Sequence, residues 1–169
     1  MIKIVVTGPV CGGKTTFVRS LSEREALSTE EPASSIGKEE TTVGLDVGFT
    51  TVRDRKIKLL GTPVQARFAY MWDLLATAAD GFVLLLPADR QNAIAQSAGI
   101  ATVITSDPQS PIGVGITRSD RAAVPVLSRA KNEFASFAAF IQQIDAREEP
   151  ACQELLSSVI DVIAPGNGA

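Results

Sequence analysis

The segment GPVCGGKT, residues 8–15, decides the fold of this chain. It follows IKIVVT, residues 2–7, an apolar run rich in β-branched residues that predicts a buried strand. A helical pattern begins directly after it. The segment matches G-x-x-x-x-G-K-[ST] in full, and it stands between a strand and a helix, as this motif requires to bind phosphate. We therefore interpret it as a phosphate-binding loop rather than a turn that only connects two elements.

The residue types in this loop predict individual contacts with a nucleotide. Glycines let the backbone N–H groups surround phosphate oxygens at the positive end of a helix. Lys14 is expected to reach the terminal phosphates, Thr15 to place its hydroxyl on Mg²⁺, and Thr16 to contact the innermost phosphate. Cys11 is interpreted as a small filler residue rather than a redox thiol. The predicted contacts of the loop are Gly8, Cys11, Gly12, Gly13, Lys14, Thr15 and Thr16.

Composition limits the class of protein. The 169 residues suit one domain, residues 1–169, and 45% apolar with 5% aromatic residues predicts an aliphatic core of the kind found in parallel sheets. A net charge of −3 argues against nucleic acid as a partner. The chain has no histidine, and its two cysteines stand far apart, which argues against a zinc site and against histidine-based acid–base catalysis.

The sequence also predicts where the protein resides. The apolar run at the N-terminus is too short for a signal peptide, and no apolar run approaches the roughly 20 residues that a spanning helix needs. We therefore expect a cytoplasmic protein with no direct membrane insertion.

Strand and helix patterns alternate along the chain. A long polar stretch, residues 27–40, is predicted to be a loop. The alternation predicts a doubly wound α/β sheet that binds ligands at the carboxyl ends of its strands. Strands are predicted at 2–7, 43–52, 56–60, 81–86, 111–117 and 140–144, and helices at 15–26, 68–79, 92–105, 126–137 and 149–163.

A second segment indicates which base is bound. Thr117-Arg118-Ser119-Asp120 follows a predicted strand. The Asp120 carboxylate can accept two hydrogen bonds from the ring N–H and the exocyclic amine of guanine, whereas adenine offers no such pair of donors on that edge. The sequence therefore predicts a guanine nucleotide, GTP or GDP.

Together these motifs make the whole chain resemble a Ras-like small GTPase, in particular the bacterial MglA-like and conservon-type GTP-binding proteins. The resemblance implies a P-loop NTPase fold with a six-stranded, mostly parallel, doubly wound sheet and helices on both faces. The base motif of that superfamily is usually [NT]-K-x-D, so Thr117 and Asp120 match it. Arg118 replaces the lysine that normally lies over the base, and arginine can stack in the same way.

The resemblance also implies a later loop whose alanine N–H contacts the guanine oxygen. Two stretches compete for this role, Arg129-Ala130-Lys131 and Ile144-Asp145-Ala146-Arg147. We choose Ala146, because the second stretch leaves room for a helix after Asp120 and leads directly into the last helix. An ordinary solvated loop is the alternative interpretation of either stretch.

Two switch segments, 28–43 and 61–70, are implied by the same resemblance. Thr42, with Thr41 as the alternate, corresponds to the threonine that closes over Mg²⁺ and the terminal phosphate, unless the two threonines simply start a strand. In LLGTPVQARF, residues 59–68, Gln65 corresponds to the glutamine that orients the attacking water. Gly61 stands where the family has an acid, and Val64 where it has glycine.

The missing acid leaves two outcomes open. In the first outcome, Thr15, Thr42 and the phosphates hold Mg²⁺. We add the hypothesis that Asp46, on the adjacent strand, reaches a metal-bound water. The alternative interpretation of Asp46 is an outward-facing residue of an alternating strand. In the other outcome the site binds nucleotide well but hydrolyses it poorly.

The leading prediction is a GTP-dependent switch with slow hydrolysis, in which Lys14, Thr42 and Gln65 are catalytic. The resemblance implies an activating protein and an effector or small Roadblock-type partner. A catalytically weak nucleotide-binding scaffold is the second hypothesis. A small P-loop kinase is the third, although the loop at 28–40 has no arginine to clamp a second substrate.

Overall fold

The computed structural model describes residues 1–24, 27–28, 45–63, 69–104 and 110–165. Its strands and helices alternate along the chain, as the sequence predicts. The strands are β1 (Ile2–Thr7), β2 (Leu27–Ser28), β3 (Asp46–Val52), β4 (Arg55–Gly61), β5 (Gly81–Pro87), β6 (Ile112–Thr117) and β7 (Phe140–Gln143). The helices are α1 (Lys14–Leu21), α2 (Ala69–Ala78), α3 (Ala93–Ile104), α4 (Val124–Phe134) and α5 (Glu149–Ile163), with a 3-10 turn at Ser119–Arg121.

The strands form one sheet in the order β2-β3-β4-β1-β5-β6-β7. Strands β4, β1, β5, β6 and β7 are parallel, whereas β3 runs antiparallel to β4, and β2 antiparallel to β3. Helix α1, which follows β1, and helix α3, which follows β5, lie on opposite faces of the sheet. A ligand-binding crevice is expected between the carboxyl ends of two such strands. In this sheet that place is next to the loop after β1.

Apolar residues cover both faces of the sheet. On one face α1 and α5 pack through Phe17 and Leu155, and on the other face α2, α3 and α4 contribute side chains that include Leu75 and Phe134. Every residue of β5 is buried, because this central strand is covered on both faces. The fold is therefore α/β, with a mostly parallel sheet and helices on both faces, an arrangement compatible with double winding.

The observed elements match the predicted ones with small differences in their bounds. Helix α5 has the predicted bounds, and six strands correspond to the six predicted strands. The seventh, β2, falls within the segment that we expected to be a loop, because a two-residue strand leaves no periodic pattern. Helix α1 ends at Leu21 rather than at Ala26, since Ser22 has extended backbone and its hydroxyl donates to the carbonyl oxygen of Val18. Within the described residues, no helix combines the length and the apolar character that crossing a membrane requires.

Candidate functional site

The loop after β1, residues 8–13, lies directly on the backbone of β5. We call it the glycine loop. Gly8 has φ of +145°, and a Cβ there would overlap the carbonyl oxygen of Leu85. A Cβ on Gly12 would stand 2.9 Å from the same oxygen. Gly13 caps α1 with φ of +94°, a conformation that favours glycine. The three glycines thus let the backbone approach both β5 and the start of α1.

Lys14 is folded back over this loop. Its side chain is buried, with 7% of the residue exposed, and its Nζ donates to the carbonyl oxygens of Gly8 and Pro9 at 2.9 Å each. Burial lowers the pKa of Lys14 to about 8, although the electrostatic effects of the nearby Cys11 and Asp46 act in the opposite direction. The loop therefore holds a buried amine whose charged form an incoming anion would stabilise.

A buried carboxylate lies on the other side of the first turn of α1. Asp46, the first residue of β3, is 5% exposed, and its Oδ2 accepts a hydrogen bond from the Thr15 hydroxyl at 2.5 Å. Asp46 is paired across the ladder with Gly61 at the end of β4. The interpretation of Asp46 as an outward-facing strand residue is therefore wrong, since the side chain faces α1.

A cavity of about 580 Å³ extends from the glycine loop across the carboxyl end of β6. Gly12 and Thr16 line it at one end. The cavity continues to two further segments, residues 117–121 and 143–148. It therefore joins the three sequence motifs that were selected separately.

Hydrogen bonds hold these motifs in position. The Thr117 hydroxyl donates to the carbonyl oxygen of Gly12 at 3.1 Å, which connects β6 to the glycine loop. The Ser20 hydroxyl lies within hydrogen-bond distance of two carbonyl oxygens, that of Ala146 at 2.7 Å and that of Thr16 at 2.8 Å. Helix α1 thus contacts the loop that precedes α5.

Of the two stretches that compete for the base-contacting alanine, one lines this cavity. Ala146 lines the cavity, and a Cβ added to Gly13 would lie 3.2 Å from the Cβ of Ala146. Ala130, in the competing stretch, is fully buried in α4 within the core. The geometry therefore separates two alternatives that the residues alone left open.

The sequence of the chain is similar to that of an archaeal protein. No protein-family model matches it. It is 30% identical to the uncharacterized protein MJ1339 of Methanocaldococcus jannaschii over 122 residues, which cover 70% of this chain and 71% of the relative. The chain belongs to the MJ1339 family. MJ1339 is itself uncharacterized, so we infer the function of this MJ1339 family member from its own residues.

In this member of the MJ1339 family, Arg118 and Asp120 occupy the far end of the cavity. Arg118 has a left-handed backbone, with φ of 55°, and its Nη1 lies 3.4 Å from Oδ2 of Asp89. Asp120 stands in the 3-10 turn with its side chain exposed. Asp89 was not predicted as a site residue. Its signal in the sequence is its position just beyond the carboxyl end of β5.

An ion pair shapes the loop at residues 145–147. Arg147 donates from Nε and Nη2 to the carboxylate of Asp145, at 2.9 and 2.6 Å, and its backbone N–H donates to the same carboxylate. These hydrogen bonds lower the pKa of Asp145 to about 2. The carboxylate therefore stays ionised beside the cavity throughout the neutral and mildly acidic range. Sequence reasoning had assigned no role to this pair.

The two cysteines differ in environment. Cys11 is exposed on the glycine loop with φ of 60°, whereas Cys152 is buried, and neither forms a disulfide. The Cys152 thiol donates weakly to the carbonyl oxygen of Ala146 at 3.5 Å, and burial raises its pKa to about 12. The buried Cys152 therefore contacts the backbone of the loop at 145–147 through its thiol.

Two of the three predicted catalytic residues are not among those that the structure describes. Thr42 and Gln65 lie outside the described residues, as do the alternate Thr41 and the neighbouring Val64. Their roles stay predictions from the sequence.

Proposed function

We propose that this chain is a GTP-binding protein of the P-loop class with a Ras-like fold, which acts as a nucleotide-dependent switch and hydrolyses GTP slowly with Mg²⁺. One observation carries the proposal: a single cavity of about 580 Å³ runs from the glycine loop to Asp120 and Ala146. This volume lies within the range of about 300–1,000 Å³ typical of small-molecule sites. The two ends of the cavity offer the chemistry that the two ends of a nucleotide need.

At the phosphate end, charge complementarity supports an anionic ligand. Lys14 is buried and bonds to carbonyl oxygens, with burial disfavouring its ammonium form. A phosphate oxygen would restore a charged partner to this amine, and the N–H groups at the start of α1 would add donors without a side chain. Gly8, Cys11, Gly12 and Gly13 let the backbone follow the phosphate chain, with Thr16 beside the innermost phosphate.

At the base end, the donor and acceptor pattern favours guanine over adenine. The Asp120 carboxylate would accept from the ring N–H and the exocyclic amine of guanine. The N–H of Ala146 would donate to the guanine oxygen, while Arg118 and the Thr117 segment flank the ring. Adenine presents an acceptor where guanine presents the ring N–H, so the same carboxylate would repel it.

The residues at the start of α1 also fit a divalent cation. Mg²⁺ prefers hard oxygen ligands and is commonly held by one or two protein groups together with substrate phosphates. The Thr15 hydroxyl and the Asp46 carboxylate supply such oxygens, and we add Thr42 from the resemblance. The cation would neutralise charge on the terminal phosphates. Lys14 and the loop N–H groups would bind and orient those phosphates during hydrolysis.

We propose slow hydrolysis because Gly61 provides no carboxylate near the terminal phosphate. We propose that Gln65 orients the attacking water, that turnover is stimulated by an activating protein, and that the GTP-bound form binds an effector or a Roadblock-type partner. The position where the resembled family has an acid is Gly61, which has no carboxylate. That observation favours a second candidate function, a nucleotide-binding scaffold with weak catalysis.

The base and phosphate content of nucleotide that copurifies with the protein tests the proposal first. Guanine nucleotide is expected, and bound adenine would contradict the role of Asp120. Phosphate release in a single turnover then distinguishes a switch from a scaffold. A Gln65→Leu variant with an unchanged rate would show that Gln65 has no catalytic role.

A further inference from the structure

The side chain of Asp46 lies against the α-carbon of Gly61 on the neighbouring strand. They face each other directly in the antiparallel ladder of β3 and β4. A Cβ on Gly61 would lie 3.1 Å from the Cβ of Asp46 and 3.3 Å from its Oδ2, closer than side chains normally pack. The side chain of Asp46 therefore crowds the position that a Cβ on residue 61 would take.

The carboxylate of Asp46 is buried without a cationic partner. It forms no ion pair with any described lysine or arginine, and within the described residues Thr15 supplies its one hydrogen bond. The nearby amine of Lys14 bonds to the carbonyls of Gly8 and Pro9 instead. Burying an ionised carboxylate is costly unless it is paired or coordinates a metal. This environment points to a bound cation.

The direction of the hydrogen bond adds chemical detail. The Thr15 hydroxyl has one proton, which it donates to Asp46, so its oxygen lone pairs are free to bind a cation. Groups that orient a metal ligand in this way, by accepting its proton, typically contribute about 10–100-fold to metal affinity. Asp46 is thus placed to orient Thr15 and to add negative charge beside it.

We propose that Asp46 is the acidic positioning residue of a divalent-cation site at the start of α1, supplied by β3 in place of an acid on β4. Its carboxylate can be moved across the ladder to position 61 without loss of that role. The inference rests on the proposed function, because the cation would bind together with nucleotide phosphates. Glycine at position 61 then leaves room for the side chain of Asp46 and does not mark a lost site.

The test measures dissociation of a fluorescent GDP or GTP analogue in MgCl₂ and in EDTA. In the wild-type protein, Mg²⁺ is expected to slow dissociation. Asp46→Asn keeps the shape but removes the charge, and it should reduce this Mg²⁺ effect by about 10–100-fold. The far-UV circular dichroism spectrum and the thermal midpoint of each variant report that it is folded.

Three further variants test whether the carboxylate can be moved from β3 to β4. Asp46→Gly should lose the Mg²⁺ effect, and Asp46→Gly combined with Gly61→Asp should recover most of it. Gly61→Asp alone should not improve Mg²⁺ dependence, because two carboxylates would crowd each other. Asp54→Asn is the matched control: it changes a carboxylate at the turn of the same hairpin, far from α1, and should behave as wild type.

The outcomes separate this inference from the function on which it rests. If no variant binds nucleotide in either buffer, and neither does the wild type, the proposed function fails. If nucleotide binds and Asp46→Asn retains the wild-type Mg²⁺ effect, the role of Asp46 is wrong. If Asp46→Gly loses the effect and the exchange variant does not regain it, the carboxylate is not transferable, and that part of the proposal is overturned.

Discussion

The hydroxyl of Thr117 donates a hydrogen bond to the carbonyl oxygen of Gly12, 105 positions earlier in the chain, across 3.1 Å. Thr117 is the last residue of β6, and Gly12 belongs to the glycine loop. This contact joins the proposed phosphate end of the cavity to the proposed base end. Its removal should therefore affect both the stability of the fold and the binding of nucleotide.

Thr117→Val tests that contact with almost no change of shape. Thr117 is buried, so the variant leaves the Gly12 carbonyl without this donor, and we expect a loss of about 1–2 kcal/mol in the free energy of unfolding. Urea denaturation measures it. Thr51→Val, at an exposed position of β3, is the control and should change stability by less than about 0.5 kcal/mol. Equal effects of the two variants would contradict a linking role for Thr117.

Lys14 predicts a pH dependence of stability in the nucleotide-free protein. Its pKa falls from an ordinary 10.5 to about 8 because the amine is buried. Between pH 8 and 10.5 the unfolded chain binds more protons at this residue than the folded protein, so the Lys14 contribution to the free energy of unfolding rises with pH. The full rise corresponds to about 3 kcal/mol.

Denaturation at several pH values measures this effect in comparison with Lys14→Met, which cannot titrate. The difference in unfolding free energy between the two proteins should change across that window and be constant below it. Parallel curves throughout would show that burial does not depress the pKa of Lys14.

Asp120→Asn is expected to exchange the preferred base. The amide can donate where the carboxylate only accepts, so it suits xanthine, which has a carbonyl in place of the exocyclic amine of guanine. We expect affinity for GDP to fall by about 100-fold, since hydrogen bonds to a charged group contribute about 1.5–3 kcal/mol each. Calorimetric titration with GDP, XDP and ADP measures the change, and Asp73→Asn on the surface of α2 is the control. Unchanged GDP affinity would remove Asp120 from the base site.

Arg147→Gln should raise the pKa of Asp145 from about 2 toward its ordinary value of 3.8, because the guanidinium hydrogen bonds are the main cause of the shift. Since the folded-state pKa is the lower one, this pair stabilises the protein above the ordinary value and ceases to do so as pH falls through about 2. NMR titration of the carboxyl carbon measures the change. Arg121→Gln, on the same cavity, should leave the titration of Asp145 unaltered.

The sequence alone predicts much of the fold because its strongest patterns are local. The strand, glycine loop and helix of residues 2–21 are specified by adjacent residues, and the apolar side of α5 follows a regular helical period. Strand β2 could not be predicted, because two residues carry no period and their pairing with β3 joins positions that are distant in the sequence. The sheet order, which brings β5 beneath the glycine loop, likewise depends on contacts between distant residues.

Some residues of the candidate site can likewise be predicted from local motifs, whereas others depend on contacts between distant parts of the chain. Local motifs identify Lys14 and Asp120, but they do not say which way Asp46 faces, because an alternating strand can turn either side toward the core. The orientation depends on register with β4, and so on Gly61. Asp89 is found only when β5 and β6 are placed side by side, since its contact with Arg118 spans 29 positions.

The contrast between the two thiols has a practical consequence. Cys11 is exposed on the glycine loop, while Cys152 is buried with its pKa raised to about 12. Because the thiolate is the form of cysteine that attacks a maleimide, a maleimide dye at neutral pH should label position 11 selectively without any engineered cysteine. The natural chain therefore carries a probe of the loop that we propose to bind phosphate, because bound nucleotide should slow the labelling of Cys11.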